Sequence, residues 1–208
     1  MIDAMAGPEM AARSAEDDLV ADARRGDRQA FGRLVEMHTP RIWRVVWRIL
    51  RHREDAEDVV QDVFLAAHRA MPEFRGDARF TTWLHSIAVH RALNARRSAA
   101  ERARRSSLSL VSGAAVRSEG TLPEERLADP GAAASPLRVL EAGELRRRIA
   151  ACLEQLPGPW RAVLALREGE SLSYQEIAGI LNTALGTVRS RISRARDALR
   201  RCVEGQTI

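Results

Sequence analysis

Along most of the chain, apolar residues recur three and four positions apart, and no stretch of any length alternates with period two. That pattern predicts an all-α protein. Residues 1–15 read as a frayed tail, followed by a helix from about Glu16 to Arg24 that carries Leu19, Val20 and Ala23. Gly26-Asp27 breaks the pattern. The next helix carries Ala30, Phe31, Leu34 and Val35 and ends near His38. Pro40 starts or precedes a third helix, with Ile42, Val45, Val46, Ile49 and Leu50 on its apolar face and Trp43 and Trp47 on an adjacent strip. This strongly apolar segment belongs at the centre of a first domain. A fourth helix is predicted over Arg53–Ala70, with Ala56, Val59, Val60, Val63, Phe64 and Ala67 inward. Pro72 and Gly76 then interrupt the period, and it resumes from Phe80 to about Arg97.

From Ser106 to about Pro136 the chain is rich in Ser, Ala, Gly and Pro and has no sustained period, which reads as a linker between domains. The helical period returns at about Val139, with Leu145, Ile149, Cys152, Leu153 and Leu156 in one stripe. Pro157-Gly158-Pro159 ends that helix, and Trp160, Val163, Leu164 and Arg167 carry the next to Gly169. The expected organisation is a tail over 1–15, a domain over 16–105, a linker over 106–138 and a four-helix domain over 139–204.

The last two helices of that domain carry the clearest chemistry. Ser173 stands three residues before Glu176, the spacing of a capping box, and Ile177, Ala178 and Leu181 share one face of the helix so started. Asn182 to Gly186 reads as a tight joint. A second helix runs from about Thr187, with Val188, Ile192, Ala195 and Leu199 on its buried face. Arg189, Arg191, Arg194, Arg196 and Arg200 lie between those positions. An apolar stripe opposite an arginine-rich face is what a major-groove reader requires: one side seats the helix and the guanidiniums reach phosphates and guanine edges. The plainer alternative is a helical hairpin with a solvated charged face.

Composition changes the picture modestly. The 208 residues are 45% hydrophobic with a formal net charge of +5, and every one of the 33 basic side chains is arginine. A basic balance favours a polyanionic partner, and arginine suits bidentate contacts to phosphate and guanine. Cys152 and Cys202 are too few and too scattered for a disulfide framework, and Cys152 reads as a core residue. No apolar run approaches a membrane span. The acidic, polar N-terminus is unlike a signal peptide, so a cytoplasmic protein is expected.

Two further stretches admit a bland and a sharp reading. Glu54, Asp55, Glu57 and Asp58 crowd the first turns of the Arg53 helix, where the helix dipole favours acid. Gln61 and Asp62 extend the polar face past that first turn. The stretch reads either as a well-capped core helix or as a surface offered to a basic partner. Phe74, Phe80 and Trp83 precede the basic run Arg91, Arg96, Arg97, Arg102, Arg104 and Arg105. Aromatic faces beside a basic track suit single-stranded nucleic acid, although any one of these rings is more commonly a core residue. No phosphate loop, HExxH pair or His/Cys cluster is present. His85 and His90 are badly spaced for joint ligation and read as surface or nucleic-acid-facing. Asp55 and Asp58 are more cheaply explained as a polar helix face than as a Mg²⁺ pair. Enzymatic activity and a cofactor are not expected.

Taken together the segments resemble the compact, extracytoplasmic-function group of bacterial RNA polymerase sigma factors. LVADARRGDRQAFGRLVEMH resembles the opening of that family's sigma-2 domain. DAEDVVQDVFLAAHR, from Asp55, resembles its polymerase-clamp-binding helix. FRGDARFTTWLHSIAVHRALNARR, from Phe74, resembles its promoter −10 segment. LPGPWRAVLAL together with LSYQEIAGILNTALGTVRSRISRARDAL resembles its sigma-4 domain. The resemblance implies two all-helical domains on an extended linker. Asp55, Asp58, Gln61 and Asp62 would dock on the clamp helices of the largest catalytic subunit of core polymerase. The loop Arg75, Gly76, Asp77, Ala78 and Arg79 and the start of the following helix would capture a flipped non-template base of the −10 element, and Phe74, Phe80, Trp83 and His90 would belong to the same single-strand surface. Flipping is cheaper where strands are separating, which couples recognition to melting. Arg91, Arg96 and Arg97 would hold the adjacent backbone. Ser173, Gln175 and Glu176 would begin the helix-turn-helix, and Thr187, Arg189, Ser190, Arg191, Arg194 and Arg196 would face the −35 element.

The resemblance also implies three protein-level features. The flap of the second large subunit would contact the sigma-4 domain. The linker would run toward the RNA exit path. An anti-sigma factor, able to hold the chain near the membrane, would be its inhibitor. Two features depart from the pattern. His90 stands where asparagine is common, and the turn REGESLSY is slightly long. The rival readings are a DNA-binding regulator independent of polymerase and a non-DNA helical scaffold. The first would need a palindromic site, and the second conflicts with the arginine-rich helix.

Overall fold

The structure is a computed structural model that describes residues 8–109 and 136–205. It is built from α1 (Pro8–Arg24), α2 (Arg28–Leu50), α3 (Arg53–Ala70), α4 (Phe80–Ser109), α5 (Pro136–Gln155), α6 (Gly158–Leu164), α7 (Tyr174–Ile180) and α8 (Leu185–Val203). A 3₁₀ turn covers Met71–Glu73, and a π turn, Ala165–Gly169, continues α6. Among the described residues there is no strand. Helices α1–α4 form one module and α5–α8 a second.

Several element bounds differ from the sequence expectation: α5 begins at Pro136 rather than near Val139, and α8 at Leu185 rather than near Thr187. Helix α1 begins at Pro8 rather than near Glu16, and α4 continues to Ser109 rather than ending near Arg97. The two helices expected on either side of His38 are one helix, α2, with Pro40 inside it. Proline removes a backbone donor and strips the Glu36 carbonyl of its helical partner. Pro40 is exposed, so water can serve that carbonyl. The apolar stripe does not break there: Leu34, His38, Ile42, Val45, Val46 and Ile49 are all buried along one side. Asp27 caps the start of α2, its Oδ1 accepting from the backbone N–H of Gln29 (2.8 Å) and Ala30 (3.2 Å). Arg51 ends α2 in the left-handed region at φ 61°, its N–H donating to the Trp47 carbonyl at 2.8 Å.

Burial explains the rest of the first module. Val45, Ile49, Ala56, Val63, Ala67, Leu84, Ala88 and Ala92 have no exposed surface, which places α2 between α3 and α4. In the second module the buried apolar residues fall into two groups. Val163, Leu166, Ile177, Ile180, Val188 and Ile192 join the core of the first module in one continuous cluster. Leu156, Leu164, Ala195 and Ala198 form a small separate cluster under Leu153 and Trp160.

The cysteines form one bond that the sequence reading did not foresee. Cys152 is buried as expected, but it is bonded to Cys202, 50 residues away, and ties α5 to the end of α8. Two half-cystines cannot make a framework, yet one pair closes a long loop. Chain spacing alone could not show that the two helix ends meet.

Candidate functional site

The helix-turn-helix is built as its sequence directs. Ser173 has extended backbone, and its Oγ accepts from the Glu176 N–H at 3.2 Å. The Glu176 carboxylate accepts from the Ser173 N–H at 2.8 Å, completing the capping box. The bond from the Ser173 N–H to the charged carboxylate, and after it the Ser173 hydroxyl, hold the Glu176 pKa below its ordinary value. The turn passes through Asn182 at φ 45°, a conformation asparagine tolerates. Helix α8 then buries Val188, Ile192, Ala195 and Ala198. Arg189, Ser190, Arg194, Arg196 and Arg200 are exposed, and Thr187 and Arg191 partly so.

The α8 arginines are not equivalent. Arg196 Nη2 and Nε lie 2.5 and 3.1 Å from Glu168 Oε1, and that carboxylate raises the Arg196 pKa. Arg200 lies 3.8 Å from Asp197. Arg189 opens onto a cleft of about 390 Å³ with Arg167, Ser173, Tyr174, Gln175 and Leu185. Arg167 donates to the Leu172 carbonyl at 2.9 Å, and its guanidinium stands 5.2 Å from the centre of the Tyr174 ring.

The segment before α4 shows a divided role. Phe74 and Phe80 are buried, so they are core and not open platforms for bases. They form an aromatic floor with Trp83: ring centres are 6.0 Å apart for Phe74–Phe80, 4.9 Å for Phe74–Trp83 and 5.6 Å for Phe80–Trp83. Trp83 is partly exposed. The loop Arg75, Gly76, Asp77, Ala78, Arg79 is exposed, with Gly76 at φ 81°, a conformation that favours glycine.

His90 is exposed, its Nδ1 2.7 Å from the Ser86 carbonyl, and Arg91 lies 3.8 Å from Asp62. These residues line a groove of about 660 Å³ between α3 and α4, with Val59, Ala66 and Ile87 on its walls. The expected polymerase-facing Asp62 and DNA-facing Arg91 therefore share one groove. Arg97 is exposed. Arg96 is half-buried, its Nη2 donating to the Leu156 carbonyl of the second module at 2.9 Å, and burial lowers its pKa.

On α3, Asp58, Gln61 and Asp62 are exposed along one side. Asp55 differs, because its N–H reaches His52 Nδ1 at 3.4 Å and so takes part in capping α3. Leu65, 55% exposed, continues the same side of α3 past Asp62. Sequence reasoning passed over it, although its spacing from Asp58, Gln61 and Asp62 placed it there.

His85 reverses an expectation. It is 2% exposed rather than surface-facing, because the second module covers it. Burial first, then Arg41 and His38, push its pKa down to about 4. Glu170 lies beside it, with its side chain 2% exposed. Glu170 Oε2 accepts from Arg41 Nε at 2.8 Å and is 3.9 Å from His85 Nε2, and Arg44 lies 3.9 Å from Oε1. Burial raises the Glu170 pKa, against the lowering effect of Arg41, Arg44 and Arg48. Arg161 is buried between α2 and the end of α5. It donates to the carbonyls of Ile49 (3.0 Å), Glu154 (2.7 Å) and Leu156 (3.3 Å), and its pKa is lowered to about 9, first by burial. Among the described residues no group of His, Cys, Asp and Glu is arranged to hold a metal ion, and no helix is long and apolar enough to cross a membrane.

A helical module bearing an exposed acidic side and a basic loop, joined to a helix-turn-helix module, defines a transcription factor of the promoter-reading class. Residues 34–102 match the family model for sigma-70 region 2 and residues 146–199 that for sigma-70 region 4. The ECF RNA polymerase sigma-E factor of Escherichia coli strain K12 is 37% identical over 181 residues, 87% of this chain and 90% of that protein. The solved structure of CnrH in complex with the cytosolic domain of CnrY is similar at 25% identity and a TM-score of 0.62, covering 93% of this chain and 99% of that one. RpoE of Bartonella quintana, solved in complex with the anti-sigma factor NepR, shares the fold at 21% identity and a TM-score of 0.60, covering 84% of this chain and 96% of that one. The chain belongs to the sigma-70 family, as an extracytoplasmic-function sigma factor that directs RNA polymerase to promoters. Sigma factors are not catalysts.

Proposed function

We propose that each face described above serves one step of promoter recognition. The observation that carries this reading is α8: it buries Val188, Ile192, Ala195 and Ala198, with Leu199 partly buried, while Arg189 and Arg194 stand exposed and outside any ion pair the structure describes. Unpaired guanidiniums on a rigid helix can meet phosphates and guanine edges without first losing a partner. Helix α8 enters the major groove of the −35 element, with Arg191 and Arg194 central, Arg189 beside them and Thr187 and Ser190 at the entry end. Arg196, engaged by Glu168, acts after exchanging that partner for DNA.

The exposed loop Arg75–Arg79 receives a flipped base of the −10 element, backed by Trp83 at the edge of the aromatic floor. Arg91 and Arg97 track the neighbouring backbone. Asp58, Gln61 and Asp62 dock on the clamp helices of core polymerase, with Asp55 holding the helix start. The flap contacts the second module. The similar CnrH was solved with a second protein, CnrY, which supports a protein inhibitor, an anti-sigma factor, for this chain as well.

The test separates the two surfaces. Arg194→Ala should lower −35-dependent run-off transcription by about 1–3 kcal/mol, roughly 5- to 150-fold, with core binding unchanged. Asp58→Arg should weaken core binding while leaving the second module folded. Equal loss of core binding in Arg194→Ala, or unchanged core affinity in Asp58→Arg, would refute the respective assignment.

A further inference from the structure

Trp83, His90 and Arg97 follow one another along α4 at equal intervals of seven residues. Seven residues are close to two full turns, so the three share one side of the helix. His90 stands about 10.5 Å along the axis from each of the other two. Trp83 and Arg97 mark the two ends of the path assigned above to the opened strand. His90 is at the midpoint of that path, and its side chain is exposed. Asn94 is exposed one turn further on, and the neighbouring Arg91 lies 3.8 Å from Asp62.

The His90 ring does not present its two nitrogens equally. Nδ1 lies 2.7 Å from the Ser86 carbonyl oxygen, one turn back on the same helix. A carbonyl oxygen can only accept, so Nδ1 carries the proton. In the neutral imidazole Nε2 then holds a lone pair and no hydrogen. Ser86 belongs to the rigid helix, so the bond also fixes the direction in which the ring faces. Nε2 is a positioned acceptor on an exposed helix side, opposite in polarity to the arginines around it.

The four bases divide cleanly before such an acceptor. On the major-groove edge adenine and cytosine carry an exocyclic amine, which donates. Guanine and thymine carry a carbonyl oxygen in the corresponding place. An amine facing Nε2 gains a hydrogen bond. A carbonyl oxygen facing Nε2 sets two lone pairs against each other, and both groups give up water for nothing. Arginine makes the reverse choice, because its donors suit guanine and phosphate.

We propose that His90 is a specificity residue of −10 reading: its Nε2, made an acceptor by the Ser86 carbonyl, selects adenine or cytosine through the exocyclic amine and disfavours guanine and thymine. The selected base lies about three nucleotides, at roughly 3.4 Å each, from the one captured by the Arg75–Arg79 loop. The proposal rests on the assignment of that loop and of α4 to the −10 element, and adds a base class to it.

Two measurements on the full chain test it. The first needs no DNA. Long-range proton–nitrogen correlation spectra at about pH 8, where histidine is ordinarily neutral, should show the His90 hydrogen on Nδ1 and none on Nε2. The ring is assigned by its absence from the spectrum of His90→Phe. A hydrogen on Nε2 would overturn the proposal, because that nitrogen would then donate.

The second uses the chain bound to core polymerase, with competing promoter fragments that carry each base in turn at every −10 position. At one position adenine and cytosine should exceed guanine and thymine by about 3- to 10-fold, as expected of one hydrogen bond. Replacing that adenine by purine, or that cytosine by the pyrimidinone without its amine, should lose the same factor. His90→Phe keeps a ring but no acceptor, and should show neither the preference nor the response to the missing amine. His90→Asn has a donor and an acceptor on one amide, and should narrow the selection to adenine.

A response to the amine that survives in His90→Phe, or identical base preferences in the unaltered chain and His90→Phe, would overturn the role of His90. Binding indifferent to sequence at every −10 position would overturn the −10 assignment itself, and the proposal with it.

Discussion

Replacing Cys202 with serine should loosen the second module far more than the first. The bond to Cys152 closes a loop with a separation of 50 residues. The loop-closure entropy removed from the unfolded chain corresponds to about 4 kcal/mol at that length. The tie matters here because the local core beneath it is small: Leu156, Leu164, Ala195 and Ala198 are its buried members. Small cores depend on such links. Cys202 is the better site to change, since Cys152 is 3% exposed and a serine there would also bury a hydroxyl. The assay is amide hydrogen exchange on the full chain. Amides of α5 and α8 that exchange by opening of the module should do so up to about a thousandfold faster in Cys202→Ser. Those of α2 and α3 should change far less. A dithiol reductant acting on the unaltered protein should reproduce the effect. Two titratable thiols in the unreduced native protein, or α5 and α8 protection indifferent to the substitution, would refute the reasoning.

Two more predictions concern local stability and pH. Ser173→Ala removes one half of the capping box at the start of α7 and should destabilise the second module by about 1 kcal/mol, measured as a shift in denaturant midpoint; no shift would show that the cap is redundant. Buried His85 should make stability fall as pH falls from about 6.5 to 4. The unfolded chain takes the proton at its ordinary pKa, whereas the folded chain refuses it until about 4, a difference of about 3 kcal/mol that is fully favourable only above 6.5. Arg41, His38 and Glu170 face it, and Thr81 offers its backbone. His38, also lowered by burial, adds to the slope, and Glu170, whose pKa is raised, opposes it. His85→Gln should flatten the denaturation midpoint between pH 7 and 5; an unchanged slope would contradict the assignment.

What could be read from the sequence was whatever depends on the spacing within one helix. The capping box at Ser173 and Glu176, the buried stripe Val188, Ile192 and Ala195, and the exposed side of α3 all follow from a period of 3.6 residues. The errors share a different origin. Pro40 reads as the start of a new helix because proline suits a first helical position, but a continuous apolar stripe and an exposed proline outweigh one missing bond. His85 and Arg96 are expected on the surface or on DNA, and only the placement of one module on the other buries His85 and half-buries Arg96. Cys152 and Cys202 are far apart in sequence and adjacent in space. Phe74 and Phe80 admit two readings in the sequence, base platform or core, and their burial against each other and Trp83 decides for core. Contacts between elements are set by tertiary packing, which the period of one helix does not encode.

The most direct measurement is promoter selection by purified core RNA polymerase, with and without this chain, on fragmented genomic DNA. The account predicts that adding the chain brings initiation to a defined set of start sites, each preceded by two recurrent elements, and that Arg194→Ala and Asp58→Arg each weaken initiation at that set, the first with core binding intact and the second through loss of core binding. Initiation at the same sites with or without the folded, uninhibited chain would contradict it.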